Sequence, residues 1–128
     1  MIGGRVPDAS FLIAFATRTS VYAEAAAWTA VDQGVALVVP SSAIAVAAAE
    51  LTSKDLPVLE VLLALPVAVM DDLTALRARA VGEVAAVLGA DLATAHVVAC
   101  ARDRGWPVIT GEPDRYRSRA GVEVEPLP

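Results

Sequence analysis

Apolar residues in this chain come in short blocks of two rhythms, and the two rhythms alternate. Val35 to Val39, Val67 to Met70 and Pro107 to Thr110 are brief, rich in β-branched residues and bounded by Gly or Pro, which predicts buried strands. Gly4-Arg5-Val6-Pro7 reads as a first short strand, and Val122 to Leu127 as a last one at an edge. Longer segments with helical spacing lie between them. Ala9 to Thr17 is apolar enough for a buried helix. Thr19 or Ser20 caps a helix to about Gln33, with Gly34 as its stop. Ser41 or Ser42 caps an alanine-rich helix reaching Lys54, with Ala43, Ala47, Glu50 and Lys54 on one side. Asp55-Leu56-Pro57 opens another, with Leu56, Leu59, Leu62 and Leu63 as its apolar side and Pro66 as its end. Asp71 or Asp72 caps a long helix to Leu88, closed by Gly89, and Asp91 starts one through Arg104, closed by Gly105. Glu112 to Ser118 forms a short turn or helix.

Strands alternating with helices of this length imply parallel crossovers. The expected fold class is α/β: three layers, α/β/α, around a central, mostly parallel, five-stranded sheet. With 128 residues and no linker, repeat or low-complexity run, residues 1–128 are expected to form a single domain. A chain of this size buries about two-thirds of its unfolded surface.

The hydrophobic share of 56% and mean hydropathy of +0.58 require a test for membrane insertion. The run from Val35 to Ala49 is broken at Pro40-Ser41-Ser42 and closed by Glu50, and the run from Pro57 to Met70 contains Glu60 and Pro66. Both fall short of the ~20 apolar residues of a spanning helix. Ala9 to Ala16 with Arg5 before it resembles a weak secretion signal, but Asp8 stands where the apolar core would begin. The single cysteine, Cys100, excludes an intrachain disulfide and fits a reducing compartment, so a cytoplasmic protein without a membrane partner is expected.

Net charge is −5, which argues against broad attraction to nucleic acid. The arginines nevertheless gather late in the chain, at Arg102, Arg104, Arg115, Arg117 and Arg119. A phosphate-contacting rim is one reading of them, and for any single arginine a solvated charge face is an equally good one.

Four carboxylates stand at the edges of apolar segments: Asp8, Glu50, Asp91 and Glu112. Asp8 and Glu112 follow strand-like runs, and in open α/β sheets ligands bind outside the carboxyl ends of strands. Acids placed there, joined by others from helices, suit a divalent cation. Simpler roles stand beside this one. Asp91 is a natural helix cap, a role compatible with ligation, and Asp71 and Asp72 look like caps alone. His96, with no Cys or Asp at ligand spacing, reads as a packed histidine, and Cys100, Trp28 and Trp106 as packing residues.

The ordered segments Val6-Pro7-Asp8-Ala9-Ser10, Ala47-Ala48-Ala49-Glu50-Leu51, Asp91-Leu92-Ala93-Thr94-Ala95-His96 and Val108-Ile109-Thr110-Gly111-Glu112 resemble the successive acidic motifs of PIN-domain nucleases, in particular VapC-type toxins. The resemblance spans nearly the whole chain. It implies a sheet ordered 3-2-1-4-5, whose crevice opens between strands one and four. It also implies Asp8, Glu50, Asp91 and Glu112 as catalytic acids, with Asp8, Asp91 and Glu112 as ligands of Mg²⁺ or Mn²⁺. Ser10 and Thr110 become supporting hydroxyls, and Arg102, Arg104, Arg115 and Arg117 weaker RNA contacts. The chain departs from the family at Glu112, where Asp is more usual, and Asp114 is a possible substitute for the fourth carboxylate.

The activity so implied is endonucleolytic hydrolysis of RNA phosphodiesters by metal-activated water, as the toxin of a toxin–antitoxin pair. A cognate antitoxin and a second copy of the chain, in a homodimer, are the implied protein partners. Hard oxygen ligands suit magnesium or manganese rather than zinc. A different class competes: a weak or inactive PIN-like domain that serves as a binding and dimerisation module, motivated by Glu112 and by the apolar helical surface of residues 41–65. A haloacid-dehalogenase-like phosphatase would need Asp where Ser10 stands. A receiver domain would need a suitably placed lysine, and the chain has only Lys54. No Gly-rich phosphate loop follows any strand.

Overall fold

Five parallel strands organise residues 3–117 and 121–128, the part of the chain that the computed structural model describes. In chain order the elements are β1 (Gly4–Pro7), α1 (Ala9–Thr17), α2 (Val21–Gln33), β2 (Ala36–Pro40), α3 (Ser41–Glu50), α4 (Leu56–Leu63), β3 (Ala68–Asp71), α5 (Ala75–Leu88), α6 (Leu92–Arg104), β4 (Val108–Thr110), a 3-10 turn (Pro113–Arg115) and β5 (Val124–Pro126). The sheet order is β3-β2-β1-β4-β5, as the family resemblance implies, and each of the four pairings is parallel.

Burial follows from that order. All five residues of β2 are buried. Successive strand residues point to opposite faces, so helices must cover both sides of the sheet there. Val6, Leu37, Val38, Val39 and Val108 form the middle of the core, with Phe11 and Leu12 of α1 wholly buried against it. Each such side chain contributes about 1.5–3 kcal/mol by leaving water. Edge strand β3 is only half covered.

Val6 pairs with Val108 and Pro7 with Ile109, so the carboxyl ends of β1 and β4 finish side by side. The chain walks from β1 through β2 to β3, then returns to the other side of β1 as β4. The crevice of this sheet therefore lies where Asp8 and Thr110 leave their strands. At the opposite end Trp106 lies flat on Gly4, where a Cβ would fall 2.4 Å from its ring. Only glycine admits that approach, and Trp106 accordingly packs as expected.

Several boundaries differ from expectation. Helix α3 starts directly on Pro40, which offers no side-chain cap; Ser41 and Ser42 are its first residues and use their hydroxyls elsewhere. It ends at Glu50, because Leu51 turns extended, so Lys54 stands outside it. Helix α5 is capped by Thr74, whose hydroxyl accepts from the Arg77 amide at 3.2 Å, while Asp71 ends β3. The expected turn over 112–118 contains a 3-10 turn at Pro113–Arg115, and Ser118 and Arg119 lie outside the described residues. Trp28, expected in the core, is nearly half exposed on α2. Among the described residues no single helix is long and apolar enough to cross a membrane.

Candidate metal centre

Asp8 directly follows β1 and caps α1, and it is 3% exposed. Its Oδ1 accepts from the Phe11 amide at 3.0 Å and the Ser10 hydroxyl at 2.6 Å. Its Oδ2 accepts from the Thr110 hydroxyl at 2.6 Å and the Tyr116 hydroxyl at 2.9 Å. A carboxylate offers about four lone-pair sites, so this one is fully engaged. Burial, together with the neighbouring Asp8 charge, pushes the Tyr116 phenol well above its ordinary value and keeps it a donor.

The two supporting hydroxyls fasten the exit of β4 to this carboxylate. Ser10 Oγ donates to Asp8 and accepts from the Gly111 amide at 2.8 Å. Thr110 Oγ1, wholly buried, donates to Asp8 and accepts from the Glu112 amide at 2.8 Å. Each hydroxyl has one proton, already committed to Asp8, so their mutual separation of 3.1 Å is a close pass between acceptors.

Asp91 caps α6, with Oδ1 accepting from the Thr94 amide at 2.8 Å and Oδ2 from the Thr94 hydroxyl at 3.0 Å. Burial would raise its carboxyl, but the two Thr94 bonds and the nearby Arg115 charge outweigh that and hold it below the usual range. Two helix N-termini, those of α1 and α6, thus each carry a carboxylate, a placement their macrodipoles favour. Cap and candidate ligand are the same residue in both cases.

Asp8, Ser10, Glu50, Asp91, Glu112 and Arg115 all line one cavity of about 460 Å³, with Ile13, Ala43, Val46 and Val97 as apolar walls. The four acids that the sequence singles out therefore converge. Glu50 reaches the cavity from the last turn of α3 and makes no hydrogen bond or ion pair among the described residues. Glu112 approaches from the turn after β4. Asp114 does not line the cavity; its side chain is 98% exposed and lies 3.8 Å from Arg117.

The sequence offers Arg115 only as a candidate RNA contact; in the structure it pairs with two of the acids. Its Nη1 donates to Asp91 Oδ2 at 3.1 Å, and its Nε to Glu112 Oε2 at 2.9 Å with Nη2 alongside. The bonds to Glu112 raise the pKa of its guanidinium further, so it remains a cation. Arg102 and Arg104 sit at the opposite end of α6 from Asp91, roughly 20 Å away at 1.5 Å per residue, and Arg104 pairs with Asp71 at 3.1 Å. They do not rim this cavity. The i,i+3 spacing of Glu112 and Arg115 hinted at their pairing, whereas nothing in the sequence signals the bond from Tyr116 to Asp8.

A second polar cluster lies elsewhere. His96, wholly buried, holds Ser42 Oγ at Nδ1 (2.7 Å) and Asp71 Oδ1 at Nε2 (2.9 Å). Asp71 also receives Arg77 and Arg104. Burial would raise Asp71, but bonds from His96, Cys100 and Arg77 outweigh it and bring the carboxyl down to about 2. Asp71, His96 and Cys100 place ligand atoms within 4.8 Å of one another, as a metal site would. Their chemistry argues otherwise. Two guanidiniums already neutralise Asp71, and both ring nitrogens of His96 are taken up, by Ser42 and by Asp71 itself; burial, with the Asp71 charge beside it, pushes the Cys100 thiol up to about 12. The cluster is an ion-pair network with His96 packed inside it.

The acidic cavity suits a hard divalent cation by donor type: all oxygen, mostly carboxylate, at a sheet switch point. It departs from a ready site in two ways: Arg115 already balances two of the acids, and protein donors already fill the lone pairs of Asp8.

No protein-family model matches the chain, and no curated protein matches its sequence. In structure it is similar to VapBC2 from Rickettsia felis, seen in a crystal bound to a DNA fragment from its promoter. The match has a TM-score of 0.70 at 12% identity and covers 97% of this chain and 98% of that one. With five parallel strands in the order 3-2-1-4-5, the chain has a PIN-like α/β fold.

Proposed function

We propose that this chain is a metal-dependent endoribonuclease of PIN type and the toxin of a toxin–antitoxin pair. The observation that carries the reading is the convergence of Asp8, Glu50, Asp91 and Glu112 on one cavity at the β1–β4 crevice. The likeness of fold to VapBC2 supports it and supports an antitoxin as partner. A homodimer is part of the same reading.

Asp91 and Glu112 would hold Mg²⁺ or Mn²⁺, with Glu50 lining the same cavity; Asp8, expected as a third ligand, has its lone pairs taken by four protein donors and would contribute its negative charge beside the ion. Such an ion lowers the pKa of bound water and stabilises charge developing on a phosphodiester. The remaining work falls to the chain itself. Ser10, Thr110 and Tyr116 hold Asp8 in one orientation, so its carboxylate does not reorganise when charge arrives. Glu50, free of partners among the described residues, is suited to accept a proton from water attacking in line. Ile13, Val46 and Val97 give the cavity apolar walls.

Arg115 favours a second reading, that of a weak or inactive PIN-like binding module, because a guanidinium already sits between Asp91 and Glu112. One experiment separates the two. Purified protein is incubated with single-stranded RNA under Mn²⁺ or Mg²⁺, with EDTA and the Asp91→Asn variant as controls. Metal-dependent cleavage that Asp91→Asn abolishes supports the nuclease; RNA left intact at millimolar Mn²⁺ supports the binding module.

A further inference from the structure

The 3-10 turn after β4 folds back by three residues, so that Glu112 and Arg115 come from the same turn and meet Asp91 from the start of α6. The guanidinium spans the two acids. Glu112 Oε2 takes both Nε and Nη2, and Asp91 Oδ2 takes Nη1 together with the Thr94 hydroxyl. An oxygen with two donors has no lone pair left for a cation. Asp8 is saturated in the same way. The acceptor directions still open in the cavity belong to Glu50, to Glu112 Oε1 and to Asp91 Oδ1.

We infer that Arg115 is a built-in competitor for the divalent ion: its guanidinium occupies the cation position between Asp91 and Glu112, and metal binds only as Arg115 swings out. This rests on the metal-dependent reading of the cavity. A guanidinium is a permanent cation, so the competition does not relax with pH in the physiological range. It is also reversible. The Arg115 side chain is 40% exposed, sits on a short turn and has a flexible stem, so it leaves by rotation without disturbing the core. Each ion pair it makes is partly solvated and individually weak. Arg115 therefore raises the metal concentration needed for loading rather than forbidding it. Once displaced, it remains tethered beside the cavity by its short turn, a cation available to an incoming phosphate.

The test is Mn²⁺ binding to the purified chain, followed by calorimetry and by the paramagnetic signal of free Mn²⁺, at low ionic strength and without RNA. Arg115→Gln should bind Mn²⁺ at least tenfold more tightly than the native chain. Arg115→Lys, which keeps the charge but loses the fork, should fall between the two. In EDTA the Gln variant should melt at or slightly below the native temperature, and saturating Mn²⁺ should raise its Tm by more. Equal or weaker Mn²⁺ binding in both variants overturns the inference and leaves the nuclease reading standing. Failure of all three proteins to bind Mn²⁺ overturns both together. If Arg115→Gln does not fold, the Lys variant alone must still bind more tightly than the native chain, or the inference falls.

Discussion

The Tyr116 hydroxyl donates to Asp8 Oδ2 at 2.9 Å, joining a turn near the end of the chain to the first strand across 108 positions. Both partners are buried, Tyr116 at 1% and Asp8 at 3% exposure. Tyr116→Phe keeps the ring packing and removes only this bond, one of four on the carboxylate. A hydrogen bond to a charged group contributes about 1.5–3 kcal/mol, and three donors remain, so a loss of about 1–2 kcal/mol is expected in urea unfolding. An unchanged midpoint would mean that water replaces the phenol and that the site is wetter than its burial indicates.

Asp8 and Asp91 should respond differently to the same substitution. Asn caps a helix about as well as Asp, so Asp91→Asn keeps the Thr94 amide bond and should unfold almost as the native protein does. In Asp8→Asn an amide group faces two of the four donors that now bind a carboxylate oxygen. Hydroxyl rotation relieves part of the conflict, and about 1–3 kcal/mol of stability should be lost. Both variants should lose metal-dependent RNA cleavage, which makes Asp91→Asn the cleaner probe of chemistry. Denaturation curves measured beside the cleavage assay decide this, and an Asp8→Asn protein as stable as Asp91→Asn contradicts it.

Acid sensitivity should be traceable to Asp71. Its carboxyl lies near 2 in the folded chain against an ordinary value of 3.8, because His96, Cys100 and Arg77 outweigh its burial. A depressed carboxyl stabilises the fold in full above its unfolded value and loses that contribution as pH falls from about 4 through about 2. The difference between the two values corresponds to about 2 kcal/mol, and the side chain is only 10% exposed, so solvent screens it little. Urea unfolding of native protein and Asp71→Asn at a series of pH values measures it. The gap between the two should narrow steadily below pH 4, and a constant gap rules out this assignment.

How much of this was legible in the sequence depended on the kind of signal. β-branched runs marked β2, β3 and β4, and Gly89 and Gly105 marked where α5 and α6 stop, since both adopt the left-handed conformation at φ +61° and +68°. The strand order did not follow from periodicity; it came with the family resemblance, whereas the four acids stood out by their places at the edges of apolar segments and took only their separate roles from the resemblance. Capping signals proved degenerate. Asp71, Asp72 and Thr74 all offer an oxygen ahead of α5, and Thr74 caps because Asp71 stays in β3, paired with Pro40. Ser41 and Ser42 resembled caps of α3, yet one accepts from the Leu73 amide and the other meets His96, partners 32 and 54 positions away. Of the Arg115 contacts only the i,i+3 pair with Glu112 had a signal in the sequence; its bond to Asp91, 24 positions away, depends on a three-residue turn bringing a cation back over an acid, which no hydrophobic rhythm encodes.

Glu112 is where the chain departs from the more usual Asp of the resembling family, and Arg115 gives that departure a physical sense. The longer side chain carries Oε2 out to Arg115 Nε and Nη2. An Asp at this position, with its amide still tied to Thr110 Oγ1, would draw its oxygens back by one methylene and break the fork. Glu112→Asp should therefore weaken the hold on Arg115, bind Mn²⁺ more tightly and cleave RNA at least as fast as the native chain. Stability should change by less than about 1 kcal/mol, since both partners are about half exposed and exposed pairs contribute little. Steady-state cleavage across a Mn²⁺ titration reads both effects at once: a lower half-saturating Mn²⁺ concentration with an equal or higher plateau. A collapsed plateau at saturating Mn²⁺ would show instead that the reach of Glu112 is needed in catalysis itself, and that its pairing with Arg115 is incidental.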